Sequence, residues 1–288
     1  LDSGDKEQEL ARCFATLVAA IGACENPMDT LDRVRDALDR KAAKLASHHQ
    51  GFVEGSLSVV AVAYETGNTQ LLQARHRDID AAYAIKTVHP ERRHDAHLIQ
   101  QLRREAEIGL SLRHPLLQET CALIRMADGR PGLLQPWAPM TLGSWLSGNR
   151  IGISQISALI ASLLQAVGAM HAKGLVHGDV TASNILLPHG NLDSPRLGDF
   201  GITLKIGEKP LDVGARYAGS PGYAPPEQMA GGEADPRHDI YAIGKLAERL
   251  LVAADHVTSA LSRFVETCTL QDADKRPSSA EEAAGLLR

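Results

Sequence analysis

Apolar residues recur at helical intervals through the first 48 positions. Leu10, Phe14, Leu17, Val18 and Ile21 form one stripe. Asn26-Pro27 interrupts it, and Asp29 or Thr30 can cap a second helix bearing Leu31, Val34, Leu38 and Leu45 on one face. The pattern predicts an α-helical hairpin over residues 1–48, either packed on the next domain or serving as a regulatory or self-association module. From about residue 49 the pattern changes. Residues 58–64 and 82–88 read as strands, and the mostly polar stretch 65–80 between them reads as a connection with Gly67 and Asn68 as turn formers. Residues 95–113 return to helical spacing. Residues 122–125 and 133–134 are short strands around the Asp128-Gly129 turn. Helices dominate from 141 onward, with loops around 177–200 and 206–226. Strands with one helix, followed by mostly helices, predict an α+β chain with two lobes. A small sheet-rich lobe spans about 49–136 and a larger helical lobe about 137–288.

The bulk properties narrow the function classes. With 288 residues, 44% hydrophobic and 23% charged, the chain can bury a sizeable core. Its net charge of -5 gives no overall attraction to nucleic acid, so no nucleic-acid partner is expected. Cys13, Cys24, Cys121 and Cys268 form no C-x-x-C pair, which argues against a zinc ribbon and suits a reducing compartment. The longest apolar run, 14–24, is too short to span a bilayer and has no basic leader before it. A cytoplasmic location without a membrane segment is the expectation. His48-His49 and the pair His94 and His97 lack the clustered Cys or carboxylate partners of a zinc site.

The candidate chemistry lies in residues 175–201. Asp179 is followed five residues later by Asn184, and fifteen residues after that by Asp199-Phe200-Gly201. An acid, an amide and a second acid suit phosphoryl transfer. One group orients the attacking oxygen, and two oxygen ligands hold magnesium against the phosphates. This block resembles the catalytic and magnesium-binding loops of protein kinases, H-R-D-x-x-x-x-N and D-F-G. Other matches come in family order. Ala84-Ile85-Lys86 resembles the strand whose lysine grips the α- and β-phosphates. Glu105, nineteen residues on, resembles its helical partner, with Glu107 as a rival on another side of the helix. Residues 134–142 resemble the hinge between lobes. The resemblance puts Leu134 behind the nucleotide and gives Gln135 and Trp137 backbone groups to offer adenine. Ala84, Leu186, Gly55 and Val60 complete the implied nucleotide pocket. Residues 219–227 resemble the end of an activation segment, 239–244 the helix anchoring the catalytic loop, and Arg276 the partner of Glu227. The resemblance covers about residues 51–288, and with it the domain 49–288.

Departures from the family pattern are specific. Val53, Gly55 and Ser58 fall at the three glycine positions of the phosphate-covering loop, so only Gly55 is kept. Gly178 replaces the arginine that normally receives an activation-loop phosphate. The segment's hydroxyls are Thr203, Tyr217, Ser220 and Tyr223. Thr181 replaces the lysine two residues past the catalytic aspartate, as in the small atypical kinases associated with tRNA modification. The activation segment and C-lobe are more similar to bacterial-type serine/threonine kinases. The resemblance implies ATP- and magnesium-dependent phosphorylation of serine or threonine hydroxyls on protein substrates. Lys86, Glu105 and Asp179 would be catalytic, and Asn184 and Asp199 the metal ligands. Ser220 stands where these enzymes usually carry a threonine near the substrate. The alternatives are a pseudokinase scaffold, or an atypical ATPase or small-molecule kinase using the same site.

Overall fold

The computed structural model describes residues 55–214, 219–252 and 257–288, together with Arg12, Thr16 and Ala20. The chain divides into two units, Leu1–Gly55 and Ser56–Arg288. In the first, Arg12, Thr16 and Ala20 are helical, and the Thr16 hydroxyl donates to the Arg12 carbonyl at 2.8 Å. The rest of the expected hairpin, including its break at Asn26-Pro27, lies outside the described residues.

The second unit opens with three antiparallel strands, β1 (Leu57–Glu65), β2 (Thr69–His76) and β3 (Ala82–Val88). Helix α1 (Ala96–Ser111) comes next, then β4 (Ala122–Arg125) and β5 (Pro131–Pro136). The five strands lie in the order β1-β2-β3-β5-β4. Strand β2 corrects the sequence reading, which took 65–80 as a connection. Leu72 and Ala74 alternate onto the buried face and pack with Ile85, but they are the two buried positions of the strand, and Leu71 beside them is out of step. Strand β1 is the edge of the sheet, with Val59, Val60, Val62 and Tyr64 exposed.

Asp95 caps α1 by accepting from the His97 and Leu98 amides, which stops the chain entering the helix from unwinding into the preceding turn. Leu102 and Ala106 then face Val88 and Leu133 of the sheet. Gly109, one turn further, lies against Thr120 and Phe200. A Cβ there would come within 2.1 Å of the Thr120 hydroxyl oxygen. The missing side chain thus sets how closely α1 approaches the loops below the sheet.

The helical lobe contains β6 (Met140–Thr141), α2 (Leu142–Leu146), α3 (Ile153–His171), β7 (Leu175–Val176), β8 (Ile185–Leu187), β9 (Arg196–Leu197) and β10 (Leu204–Lys205). It ends in α4 (Pro226–Met229), α5 (Pro236–Leu251), α6 (Ser259–Cys268) and α7 (Ala280–Gly285). The short strands were not read from the sequence, since two or three residues carry no periodicity of their own. They pair as β6-β8-β9 and β10-β7, pinning the loops around 177–200. Helix α3 is long and apolar enough to cross a membrane by composition alone. Here it is the core: Ile156, Ile160, Leu163, Leu164 and Val167 are buried with Ile243 and Leu246 of α5 and Phe264 of α6. Gly109→Ala should force α1 off Thr120 and cost about 1–3 kcal/mol by overpacking, read as a lower urea midpoint. An unchanged midpoint would contradict the close approach.

Candidate active site

Three chain segments meet at Lys86. Strand β3 projects its ammonium nitrogen 2.8 Å from Glu105 Oε1 on α1 and 2.8 Å from Asp199 Oδ1 on the loop after β9. Glu105 is buried, whereas its rival Glu107 is exposed on another side of the helix. Burial alone would lower the Lys86 pKa, but the two carboxylates outweigh it and hold the ammonium above its ordinary value. One cation cannot fully satisfy two acids. Burial, aided by the nearby Asp199 charge, pushes Glu105 up to about 7 against the pull of Lys86. Lys86 holds the more open Asp199 below the usual carboxylate range.

Asp199 has φ 61°, a left-handed conformation unusual outside glycine. The Gly201 amide supports it by donating to Asp199 Oδ1 at 3.2 Å. A Cβ on Gly201 would lie 3.1 Å from that oxygen and 3.3 Å from Glu105 Oε2. Glycine is therefore what lets this backbone approach the ion cluster. Phe200 is buried between the lobes and meets the His177 ring edge-on at 5.8 Å.

The catalytic-loop candidates sit beside this cluster. The Asn184 side-chain amide donates to Asp179 Oδ2 at 2.8 Å and to the Asp179 carbonyl at 2.9 Å. The Asn184 carbonyl accepts from the Gly198 amide at 2.8 Å, immediately before Asp199. Asp179 Oδ1 is buried and has no partner. The loop backbone is fixed from beneath by Asp239 of α5, which is fully buried. Its two oxygens accept from the His177 and Gly178 amides at 2.9 and 2.8 Å, and Oδ2 shares a 2.8 Å bond with His171 Nε2. Burial pushes the Asp239 pKa up, but these partners win and hold it below its ordinary value. Gly178 has φ 79°, where a side chain would strain the backbone. Its carbonyl accepts from Gln228 Nε2 at 2.7 Å. Sequence reading missed Gln228, because nothing local marks a contact spanning fifty residues. Thr181 is buried and its hydroxyl pairs with Ser183 at 2.9 Å.

Of the nucleotide-pocket candidates, Ala84 and Leu134 lie in the sheet and Leu186 in the helical lobe. Ala84 is buried on β3, Leu134 stands opposite Ile85, and Leu186 lies on β8. Gly55 has φ 94°, and Val60 is exposed on β1. Gln135 stands opposite Ala84 in the β3–β5 ladder, and the Trp137 amide donates to the Ala82 carbonyl at 3.1 Å. The Trp137 N–H is therefore engaged with the end of β3, past Pro136. At the far end of the lobe, Arg276 makes the expected paired bonds to Glu227, at 2.6 and 3.1 Å. Among the described residues, no group of three or more His, Cys, Asp or Glu is placed to hold a metal.

A two-lobed fold with this ion cluster and buried catalytic-loop anchor matches a known family. Residues 66–259 match the protein kinase domain, and the chain belongs to that family. Among curated proteins it is similar to serine/threonine-protein kinase PrkC of Bacillus subtilis, with 27% identity over 201 residues and 69% of this chain. It is also similar to serine/threonine-protein kinases pkn2 and Pkn1 of Myxococcus xanthus, at 26% and 29% identity over 71% and 68% of the chain. The matched regions span only 31%, 29% and 29% of those relatives.

Two measurements test the electrostatics. Glu105 carries its proton to a higher pH in the folded state than its ordinary value of 4.5. Between that value and about 7 the folded form binds more protons, so stability relative to Glu105→Gln should fall as pH rises. Urea midpoints across pH 4–8 would show this, and a constant difference would contradict it. Asp239→Asn leaves too few acceptors for three donors and should cost about 1–3 kcal/mol in the same assay.

Proposed function

We propose that this domain transfers the terminal phosphoryl group of ATP to serine or threonine hydroxyls of a protein substrate. The observation that carries this reading is Asp179. Asn184 fixes one of its carboxylate oxygens, while the other is buried and unpartnered beside the Lys86 cluster. A buried acceptor left free at a reacting site is suited to a hydroxyl donor. The relatives' names as serine/threonine-protein kinases support the substrate class.

The donor set fits magnesium and a nucleotide triphosphate. Asn184 gives its amide nitrogen to Asp179, which leaves its amide oxygen as the end available to a cation. Asp199 supplies a carboxylate kept ionised by Lys86. With Lys86 on the phosphates, bound magnesium would neutralise charge on the transferring group. Asp179 Oδ1 would then accept a hydrogen bond from the substrate hydroxyl and orient it for attack. The Lys86 ammonium is already positioned by Glu105, so little reorganisation is left for binding. Thr181 brings no cation to the transferring group, and its hydroxyl is engaged with Ser183. Catalysis is therefore expected to be slower than where a lysine stands there, by roughly a hundredfold.

A second reading, a scaffold with little catalysis, has one structural observation in its favour: the Trp137 amide is occupied by Ala82. Incubation with γ-labelled ATP, magnesium and generic protein acceptors separates the two. The native domain should label hydroxyl acceptors, and Asp179→Asn should reduce labelling by about a hundredfold or more. Equal labelling by the two proteins would reject the assignment of Asp179. Phosphate release without labelled acceptor would point to an ATPase instead.

A further inference from the structure

Arg104, the residue before Glu105 on α1, makes an interaction that the catalytic reading does not use. Its guanidinium reaches across to the segment after β10. Arg104 Nη2 donates to Glu208 Oε2 at 2.7 Å and Nη1 to Glu208 Oε1 at 3.5 Å. Nη2 also donates to the Thr203 carbonyl at 3.2 Å. Glu208 is held in turn, because the Lys205 amide donates to its Oε2 at 2.9 Å. Both side chains are about three-quarters buried, with exposures of 26% and 22%. Such a two-pronged guanidinium–carboxylate contact is the geometry that also recognises phosphate.

The surroundings explain why this contact matters. Apolar packing between α1 and the segment is incomplete, since they meet across a small cavity lined by Gln101, Arg104, Thr203, Pro210 and Val213. Gly178 sends no side chain from the catalytic loop toward the segment. The hydroxyl of Thr203, whose carbonyl Arg104 bonds, is buried and donates to the His177 carbonyl at 3.4 Å, which shields it from modification. Tyr223 lies with Arg249 stacked on its ring at 3.9 Å. The segment itself is tied to the catalytic lobe, with Leu204 opposite Val176 and the Glu208 carbonyl accepting from Ala234 at 2.9 Å.

We infer that Arg104 and Glu208 are a positioning pair, in which a built-in carboxylate does the work of an activation-segment phosphate. Glu208 anchors α1 to the residues after β10, and the neighbouring Glu105 is thereby held against Lys86. Arg104 and Glu105 sit on adjacent faces of one helix, so a swing that breaks one contact strains the other. The active arrangement would then need no phosphorylation of the segment. Its consequence for catalysis rests on the phosphotransferase reading above, but its geometry does not.

The test reads Lys86 directly and without nucleotide. The full chain and the variants Arg104→Gln, Glu208→Gln and the double variant are treated with sulfosuccinimidyl acetate. Acetylation of Lys86 is tracked by mass spectrometry, with urea midpoints recorded in parallel. Glutamine at 208 can still accept from the Lys205 amide, so the loop turn is kept while the charge is lost. Each single variant should acetylate Lys86 several-fold faster, because a loosened α1 leaves the ammonium covered by Glu105 for less of the time. The double variant should be no faster than either single, because the two residues act as one contact. Arg104→Lys, which keeps a single ionic contact, should retain part of the protection. Where the domain proves active, kcat should fall in the single variants while the KM for acceptor stays. Unchanged Lys86 acetylation, or additive effects in the double variant, would overturn the proposal. Altered acetylation in a domain that labels no acceptor would instead sink the phosphotransferase reading and leave the positioning pair standing.

Discussion

Lys86 is a cation shared by two carboxylates from separate parts of the chain. Its ammonium lies 2.8 Å from Glu105 on α1 and 2.8 Å from Asp199 below the sheet. The three groups tie β3, the helix behind it and the loop beneath into one cluster. The cluster is electrostatically unbalanced, with one positive charge for two acids. The buried acid is the last to ionise, and Asp199 keeps its charge at the open side. A site with a surplus of carboxylate at its mouth is suited to a metal cation, and Lys86 is suited to anionic oxygens. Both features arise from the same imbalance.

The helical lobe supplies the opposing half by a different means. Asp239 is fully buried and presents its oxygens to the backbone on either side of His177. Removing a carboxylate from water is costly, and here three donors offset the cost. The result is a loop whose shape is set from the core of α5. Asp179 and Asn184 can then be oriented by their own mutual bond. Gly178 fits this loop at φ 79°, a conformation that would strain a larger residue, and Gln228 fixes its carbonyl from the segment side.

Much of this was legible in the chain, and the exceptions share a cause. Lys86, Glu105, Asp179, Asn184 and Asp199 stand at spacings that mark them before any fold is known. The structure draws Lys86, Glu105 and Asp199 into one ion cluster and Asp179 and Asn184 into a bonded pair beside it. The two lobes were also legible, since helical and alternating periodicities segregate along the chain. Strand β2 was missed because Leu72 and Ala74 alone carry its inward alternation, with Leu71 out of step beside them. The small strands β6 to β10 were missed because their pairing is set by distant neighbours. At the hinge, the bond from the Trp137 amide to Ala82 is a long-range pairing that the sequence does not mark. Arg104 and Glu208 escaped for a related reason: two ordinary surface charges, 104 residues apart, become a pair only when the segment folds back onto α1.

The central claim is that the Lys86 cluster, with Asn184 beside it, is the site proposed for a magnesium-bound triphosphate. The most direct measurement is a thermal-denaturation titration with ATP, with and without magnesium, on the native domain and Asp199→Asn. A ligand that binds only the folded state must raise its stability, by about 2.7 kcal/mol at a hundredfold excess over Kd. The account predicts a rise in Tm with ATP and magnesium together that Asp199→Asn loses. No shift in the native domain under either condition, or an equal shift in the variant, would contradict it.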